Sequence, residues 1–277
     1  MMEKIFQTRD GLQLSGTYWA TDHPKALLVV IHGMGEHHGR YKHMIPFFHL
    51  QGWSVLGYDQ RGHGKSDGPR GHMPHGLALT EDLHDVISQW QEQHEAHLPV
   101  ILYGHSMGAC VAAYYMYQEE RKPIESLFLS APYFELAFAP PWWKLLLGKM
   151  AAWLSPGFSQ PTGIDTTALA MNPYVAKMYL QDPLVHDRIT AGFFRHITEM
   201  GLQILQSAAA WPEVPVHIIH GEADRLTKFE SAKQFATENP HATFLPIPGG
   251  YHEWHQDDDG MAWLDKWIKT TKTIRPA

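Results

Sequence analysis

Residues 104–108 read Gly-His-Ser-Met-Gly. A serine between two glycines at this spacing is suited to a sharp, strained turn that lifts its hydroxyl clear of the backbone. By chance the bare pattern is expected about 0.1 times in a chain of this composition, so the surroundings of the motif have to decide. An apolar run, Val100–Tyr103, precedes it and a helical run, Ala109–Glu119, follows. That is the strand–turn–helix context in which such a serine attacks an acyl carbon. The start of the following helix favours negative charge developing beside it.

A serine hydroxyl is a weak nucleophile and needs a histidine base, which in turn needs a carboxylate to orient it. The chain holds 20 histidines, so position rather than residue type must select the base. The strand Val216–His220 is followed by Gly221-Glu222-Ala223-Asp224, and the strand Thr243–Ile247 by Pro248-Gly249-Gly250-Tyr251-His252. Asp224 and His252 therefore fall on strand-end loops in the order serine, acid, base. Glu222 and Asp59 compete for the acid, and His255 for the base. Two backbone N–H groups must also face the oxyanion of a tetrahedral intermediate. Met107, directly after Ser106, offers one. The loop His32-Gly33-Met34-Gly35 offers the other at Met34, its glycines allowing close backbone approach. The chemistry this set supports is acyl transfer from an ester to serine and then to water, without a cofactor.

These residues have to be positioned by a scaffold. Residues 3–8 and 12–19 flank Asp10-Gly11, a hairpin signal. Short apolar runs follow at Ala26–Ile31, Trp53–Tyr58, Val100–Tyr103, Ser126–Ser130, Val216–His220 and Thr243–Ile247. Helical periodicity separates them, as where Leu79, Leu83, Val86, Ile87 and Trp90 share one face. Alternation of this kind predicts an α/β fold with a mostly parallel, eight-stranded sheet. The gap between Ser126–Ser130 and Val216–His220 is far longer than one crossover needs. The expected organisation is a core of residues 1–131 and 213–277 with a helical cap, 132–212, inserted between its halves. The cap opens on Phe134, Leu136, Phe138, Trp142, Trp143, Leu145, Leu146 and Leu147. These either form a small core of the insert or line an apolar channel or membrane-facing surface.

Bulk properties narrow the function. A net charge of −7 without any basic run argues against nucleic acid as a partner. The single cysteine, Cys110, excludes an intrachain disulfide and reads as a small core residue. The first residues, MMEKIFQTRDG, lack the basic start and apolar block of a signal peptide. No apolar stretch approaches the roughly 18 residues of a spanning helix. A cytoplasmic protein is expected, with peripheral membrane contact open through the cap. His37-His38 and Asp257-Asp258-Asp259 lack the spacing of a metal site. The acidic run instead suits the start of the C-terminal helix.

Taken together, His32-Gly33-Met34-Gly35-Glu36-His37-His38-Gly39-Arg40-Tyr41, Asp59-Gln60-Arg61-Gly62-His63-Gly64-Lys65-Ser66, Gly104–Gly108, Gly221–Leu226 and Tyr251-His252 resemble the monoacylglycerol lipase/lysophospholipase family of serine α/β-hydrolases. The resemblance runs from about residue 12 to 270. It implies an α/β-hydrolase fold, a Ser106–Asp224–His252 triad, oxyanion donors at Met34 and Met107, and a mobile cap over an acyl tunnel. It also implies a polar pocket for a glycerol-like leaving group at Glu36, Arg40, His105, Tyr179 and His255. The substrate class it implies is a small lipid ester, monoacylglycerol first, with lysophospholipase or generalist carboxylesterase activity as the alternatives. His38 departs from the family, which often has serine there. Thr227 and His186 stand where some animal members carry cysteines, so no thiol-linked sensitivity is expected. On Glu36 and Arg40 alone, a structural ion pair that shapes the loop is the competing reading.

Overall fold

The computed structural model describes residues 1–94, 98–138, 150 and 153–271. Eight strands form one sheet in the order β1-β2-β4-β3-β5-β6-β9-β10: β1 Met2–Gln7, β2 Gln13–Trp19, β3 Ala26–Ile31, β4 Trp53–Tyr58, β5 Val100–His105, β6 Ser126–Ser130, β9 Val216–Gly221 and β10 Ala242–Ile247. β1 and β2 pair antiparallel, as do β2 and β4, and every later pairing is parallel. The predicted hairpin is present. Its turn closes through Gly11 N–H to the Thr8 carbonyl at 2.9 Å, with Gly11 at φ 92°.

The central strands β3, β4, β5, β6 and β9 are buried at every position because both faces of the sheet are covered. Along β3, Leu27, Val29 and Ile31 enter one core, and Ala26, Leu28 and Val30 the other. The first core receives α2 (Ala78–His94), α3 (Met107–Tyr115), α5 (Ala191–Gln206) and α6 (Phe229–Glu238). The second receives α1 (Ile45–Leu50) and α7 (Gly260–Thr270). The α2 stripe of Leu79, Leu83, Val86, Ile87 and Trp90 is wholly buried in the first core.

Parallel pairing sets the functional edge. Ile31 lies beside Gly104, His105 beside Ser130, Ser130 beside Ile219, and Gly221 beside Ile247. The C-terminal ends of β3, β5, β6, β9 and β10 thus meet at one rim, and the loops that leave them share one space.

Residues 131–215 separate β6 from β9. They contain the short antiparallel pair β7 (Ser159–Pro161) and β8 (Arg188–Thr190), then α4 (Pro173–Gln181) and α5. α5 packs directly on the first core of the sheet. Phe193, Ile197, Met200 and Ile204 join the first core, and Gly201 lies against the Phe134 backbone, where an added Cβ would sit 2.3 Å from the carbonyl oxygen. Phe134 belongs to that core too, against Phe235 at 5.1 Å between ring centroids. Leu136 makes a bridge with Thr227, and Phe138 is exposed. Trp142, Trp143, Leu145, Leu146 and Leu147 lie outside the described residues.

Strand ends shift by one or two residues from the sequence reading, and α3 is shorter than expected. α3 ends at Tyr115 rather than Glu119, because the N–H groups of Met116, Tyr117 and Gln118 turn to carbonyls three residues back and tighten the chain out of the helix. The acidic run 257–259 stands at the start of α7, as expected, with Asp259 as its N-cap. Asp257 accepts the N–H groups of Met171 and Asn172, and Asp259 that of the Trp263 indole.

The turn at 104–108 tolerates no side chain on its glycines. A Cβ on Gly108 would lie 2.0 Å from the Ile31 carbonyl oxygen, and one on Gly104 would lie 2.5 Å from Ala109 Cα. Both neighbours are backbone. Gly108→Ala should therefore cost at least about 3 kcal/mol, the upper range of an overpacked core. Gly157→Ala, where nothing lies within 4 Å, should be neutral by comparison. Urea unfolding of the two variants checks this.

Candidate active site

Ser106 occupies φ 54°, ψ −119°, a conformation that costs a non-glycine residue about 1–3 kcal/mol. Its backbone is pinned on both sides. The N–H donates to Ser130 O at 2.9 Å, and the carbonyl accepts from Ala109, Cys110 and Tyr133 at 3.0–3.2 Å. The side chain is incompletely buried and stands one residue before α3, whose N-terminal dipole faces it. Cys110, four residues on, is fully buried, and burial pushes its thiol pKa up.

The loop after β3 closes against this serine. A Cβ built on Gly33 would lie 3.3 Å from Ser106 Cβ and 3.6 Å from His105 Cδ2. His32 anchors the loop. Its Nε2 accepts from Gln60 N at 2.9 Å, which leaves Nδ1–H to donate to the Gly33 carbonyl at 2.8 Å. Glu36 holds the same turn from the other side, accepting Gly33 N–H on Oε1 at 2.7 Å. Met34 packs partly buried against the first core. Gly35, at φ 76°, accepts the N–H of His186 from the inserted segment at 2.8 Å.

Asp224 and His252 come together from the loops after β9 and β10. His252 Nδ1 lies 2.7 Å from Asp224 Oδ2. Gly221 and Gly250 make the approach of these loops feasible, since a Cβ on Gly221 would lie 2.2 Å from the Gly250 carbonyl oxygen. The carboxylate collects further donors: the N–H groups of Leu226 and Thr227 on Oδ1 at 2.7 and 3.0 Å, and Thr227 Oγ1 on Oδ2 at 2.8 Å. Burial by itself would raise the Asp224 pKa, but His252 and His220 beside it hold it far below the usual range. For His252, burial favours the neutral ring. The Asp224 charge and hydrogen bond, with Glu253 and Glu36 farther off, outweigh this and raise its pKa above 6.5. The ring of His252 packs on that of His105 at 4.7 Å, which places it beside the residue preceding Ser106.

The five residues of the leaving-group set divide by what they already hold. Arg40 bridges two buried carboxylates, with Nη1 2.7 Å from Glu36 Oε2 and a two-point contact to Glu253 at 2.7 Å each. Tyr41 donates to Glu36 Oε1 at 2.7 Å. Burial would raise the Glu36 pKa, yet Arg40 and the nearby histidines bring it to about 2. Tyr179 lies under the Arg40 guanidinium at 4.9 Å, with its hydroxyl 3.1 Å from a Cβ built on Gly35. His105 pairs its Nδ1 with Ser130 Oγ at 3.0 Å, and burial with His252 nearby lowers its pKa to about 3. His255 is buried between Tyr41 and His43, and neither of its ring nitrogens has a partner among the described residues.

The sequence-level competitors are placed elsewhere. Glu222 is exposed. Asp59 binds His38 Nδ1 at 2.5 Å and the N–H of Lys65 at 2.8 Å. The neighbouring imidazoles of His37 and His38 turn to different carboxylates, Asp182 and Asp59. Four participants escaped the sequence reading: Glu253, Ser130, Thr227 as a donor, and His220. Glu253 and Ser130 carried a weak signal, being next to His252 and at the end of β6.

Removing the cation between two buried carboxylates leaves both uncompensated. Arg40→Met should destabilise the fold by about 3–5 kcal/mol, the cost of breaking a buried pair from one side. Denaturant titration of this variant against wild type measures it.

Residues 22–259 match the family described as serine aminopeptidase, S33. The chain is 30% identical over 277 residues to a monoacylglycerol lipase of Mycolicibacterium smegmatis, covering 96% of each. It is 31% identical over 269 residues to an abhydrolase domain-containing protein of Dictyostelium discoideum, covering 95% of this chain but only 28% of that longer protein. A crystal structure of Paleococcus ferrophilus monoacylglycerol lipase superposes with a TM-score of 0.80 at 29% identity, over 91% of this chain and 96% of that one.

Proposed function

The chain belongs to the monoacylglycerol lipase family of serine α/β-hydrolases, and we propose that it cleaves monoacylglycerols to fatty acid and glycerol through Ser106, His252 and Asp224. The observation that carries this reading is the 2.7 Å bond between His252 and Asp224 at the rim where Ser106 stands in its strained turn.

In the proposed mechanism His252 Nε2 takes the Ser106 proton as the oxygen attacks the ester carbonyl. Asp224 keeps the imidazole proton on Nδ1 and stabilises the cation that forms. The N–H groups of Met34 and Met107 receive the oxyanion. The approach of Gly33 to Ser106 Cβ supports this, because it brings the loop of Met34 against the nucleophile. His252 then protonates the departing alcohol, and water activated by the same ring releases the acid. The serine hydroxyl is regenerated and no cofactor enters.

The leaving glycerol is assigned to the space bordered by Glu36, Arg40, His105, Tyr179 and His255. Glu36 and Arg40 serve chiefly to shape it, since their charges are engaged with each other and with Glu253. The unpartnered nitrogens of His255 supply polar atoms suited to diol recognition.

The inserted segment is assigned a second role, resting on lipid. Trp153, Leu154 and Phe158 are 79, 66 and 55% exposed. Large apolar side chains so close in sequence are costly in water and suited to an interface. Among the described residues no helix is long and apolar enough to cross a membrane.

Ser106→Ala should lower kcat by on the order of 10⁴-fold or more and abolish labelling by a fluorophosphonate probe. A panel of monoacylglycerols, lysophospholipids and short p-nitrophenyl esters should show the highest kcat/KM on monoacylglycerols. Retained activity in Ser106→Ala rejects the nucleophile, and preference for another class rejects the substrate. In vesicle flotation, Trp153→Ser combined with Leu154→Ser should release wild-type-like protein from phosphatidylcholine vesicles while kcat on a soluble ester stays unchanged.

A further inference from the structure

His220 is the penultimate residue of β9, its side chain fully buried, four residues before Asp224. Its Nε2 lies 3.0 Å from Asp224 Oδ2, the same oxygen that meets His252 Nδ1 at 2.7 Å. Two imidazoles therefore share one carboxylate oxygen. An ionised carboxylate only accepts, so the proton of His220 must stand on Nε2. Its Nδ1 is buried and has no partner among the described residues. The Phe229 ring meets His220 edge-on at 5.6 Å and holds it in place. Thr227 Oγ1 sits between the rings, 3.3 Å from His220 Nε2, 3.3 Å from His252 Nδ1 and 2.8 Å from Asp224 Oδ2.

A buried imidazole with one nitrogen unpartnered is a costly choice for packing alone. It brings a third donor, beside His252 and the Thr227 hydroxyl, to the one oxygen on which the base depends. We propose that His220 is a positioning residue, a second imidazole on the shared carboxylate that sets the pH range over which His252 acts as base. The inference rests on the triad assigned above.

The physical argument concerns how much negative charge His252 meets. Each donor to Oδ2 draws charge from that oxygen and makes it a weaker acceptor toward the imidazolium. His220 thus opposes the rise that Asp224 imposes on His252. The other charged and titratable groups around His252 come from four directions. Glu253 adjoins it on its own loop, and Glu36 lies on the loop after β3; both favour the cation. His105 at the end of β5 packs against it, and His255 lies one turn farther along, next to His105. Arg40 is neutralised by its two carboxylates. Of this set, His220 alone bonds the oxygen that accepts from His252.

The sign follows. His252 must be neutral to act, so kcat/KM falls as pH drops through its raised pKa, above 6.5. Removing the His220 donor concentrates charge on Oδ2 and stabilises the imidazolium further. The acid limb of the wild-type profile should then move to higher pH in His220→Leu, by about half to one pH unit. His220→Gln, which can restore an N–H donor, should return it toward wild type. A limb that stays in place in folded His220→Leu, or an equal fall at every pH, overturns the proposal. Should His220→Leu fail to fold, ¹⁵N-histidine NMR of the wild type, assigned against His220→Gln, decides. The proton of His220 is expected on Nε2, and finding it on Nδ1 overturns the proposal. His252→Gln run beside these separates the two readings. If it keeps wild-type activity, the triad itself fails. If it is inactive while His220→Leu shows an unmoved limb, only the role of His220 fails.

Discussion

A guanidinium buried between two carboxylates ties together the loops on which the chemistry depends. Arg40 reaches Glu36 on one side and Glu253 on the other. Glu36 holds the Gly33 N–H, and Glu253 directly follows His252. Buried charges are tolerated only when their geometry is complete. Neither loop can shift far without uncovering an unpaired ion. The site is thus stabilised by penalties for leaving it as much as by favourable contacts within it. The unit of negative charge left over, two carboxylates against one cation, lies where an imidazolium must form.

The same logic of closure governs Ser106. The strain at Ser106 persists because its surroundings over-determine it. The Ser130 carbonyl holds the serine N–H, three donors hold its carbonyl, and Gly108 is pressed on the end of β3. The conformation costs less than the rearrangement that would relieve it. A parallel sheet supplies this setting readily, since its strand ends face the same way and their loops meet without long excursions.

The scaffold and the three principal side chains were legible because they follow simple periodicities. β3 reads as an uninterrupted apolar run because both of its faces are buried, and Asp224 and His252 are found by stepping a few residues past the next such runs. His220 was not legible. It is one of 20 histidines, and it reads as the last residue of a strand. Its importance lies in which way its ring turns, and sequence spacing carries no information on that. Glu253 was hidden for a similar reason: its partner Arg40 is more than two hundred residues away. The end of α3 was overestimated because helical composition continues past the point where the hydrogen bonding tightens.

The grip of the inserted segment on Gly35 ties two distant parts of the chain by backbone alone. The His186 N–H and the Gly35 carbonyl are bonded at 2.8 Å, in the very loop that carries Met34. Any outward swing of residue 186 must either break that bond or drag the loop with it. The inserted segment and the loop after β3 thus form one mechanical unit at residue 35, held by main-chain atoms that no side-chain substitution removes.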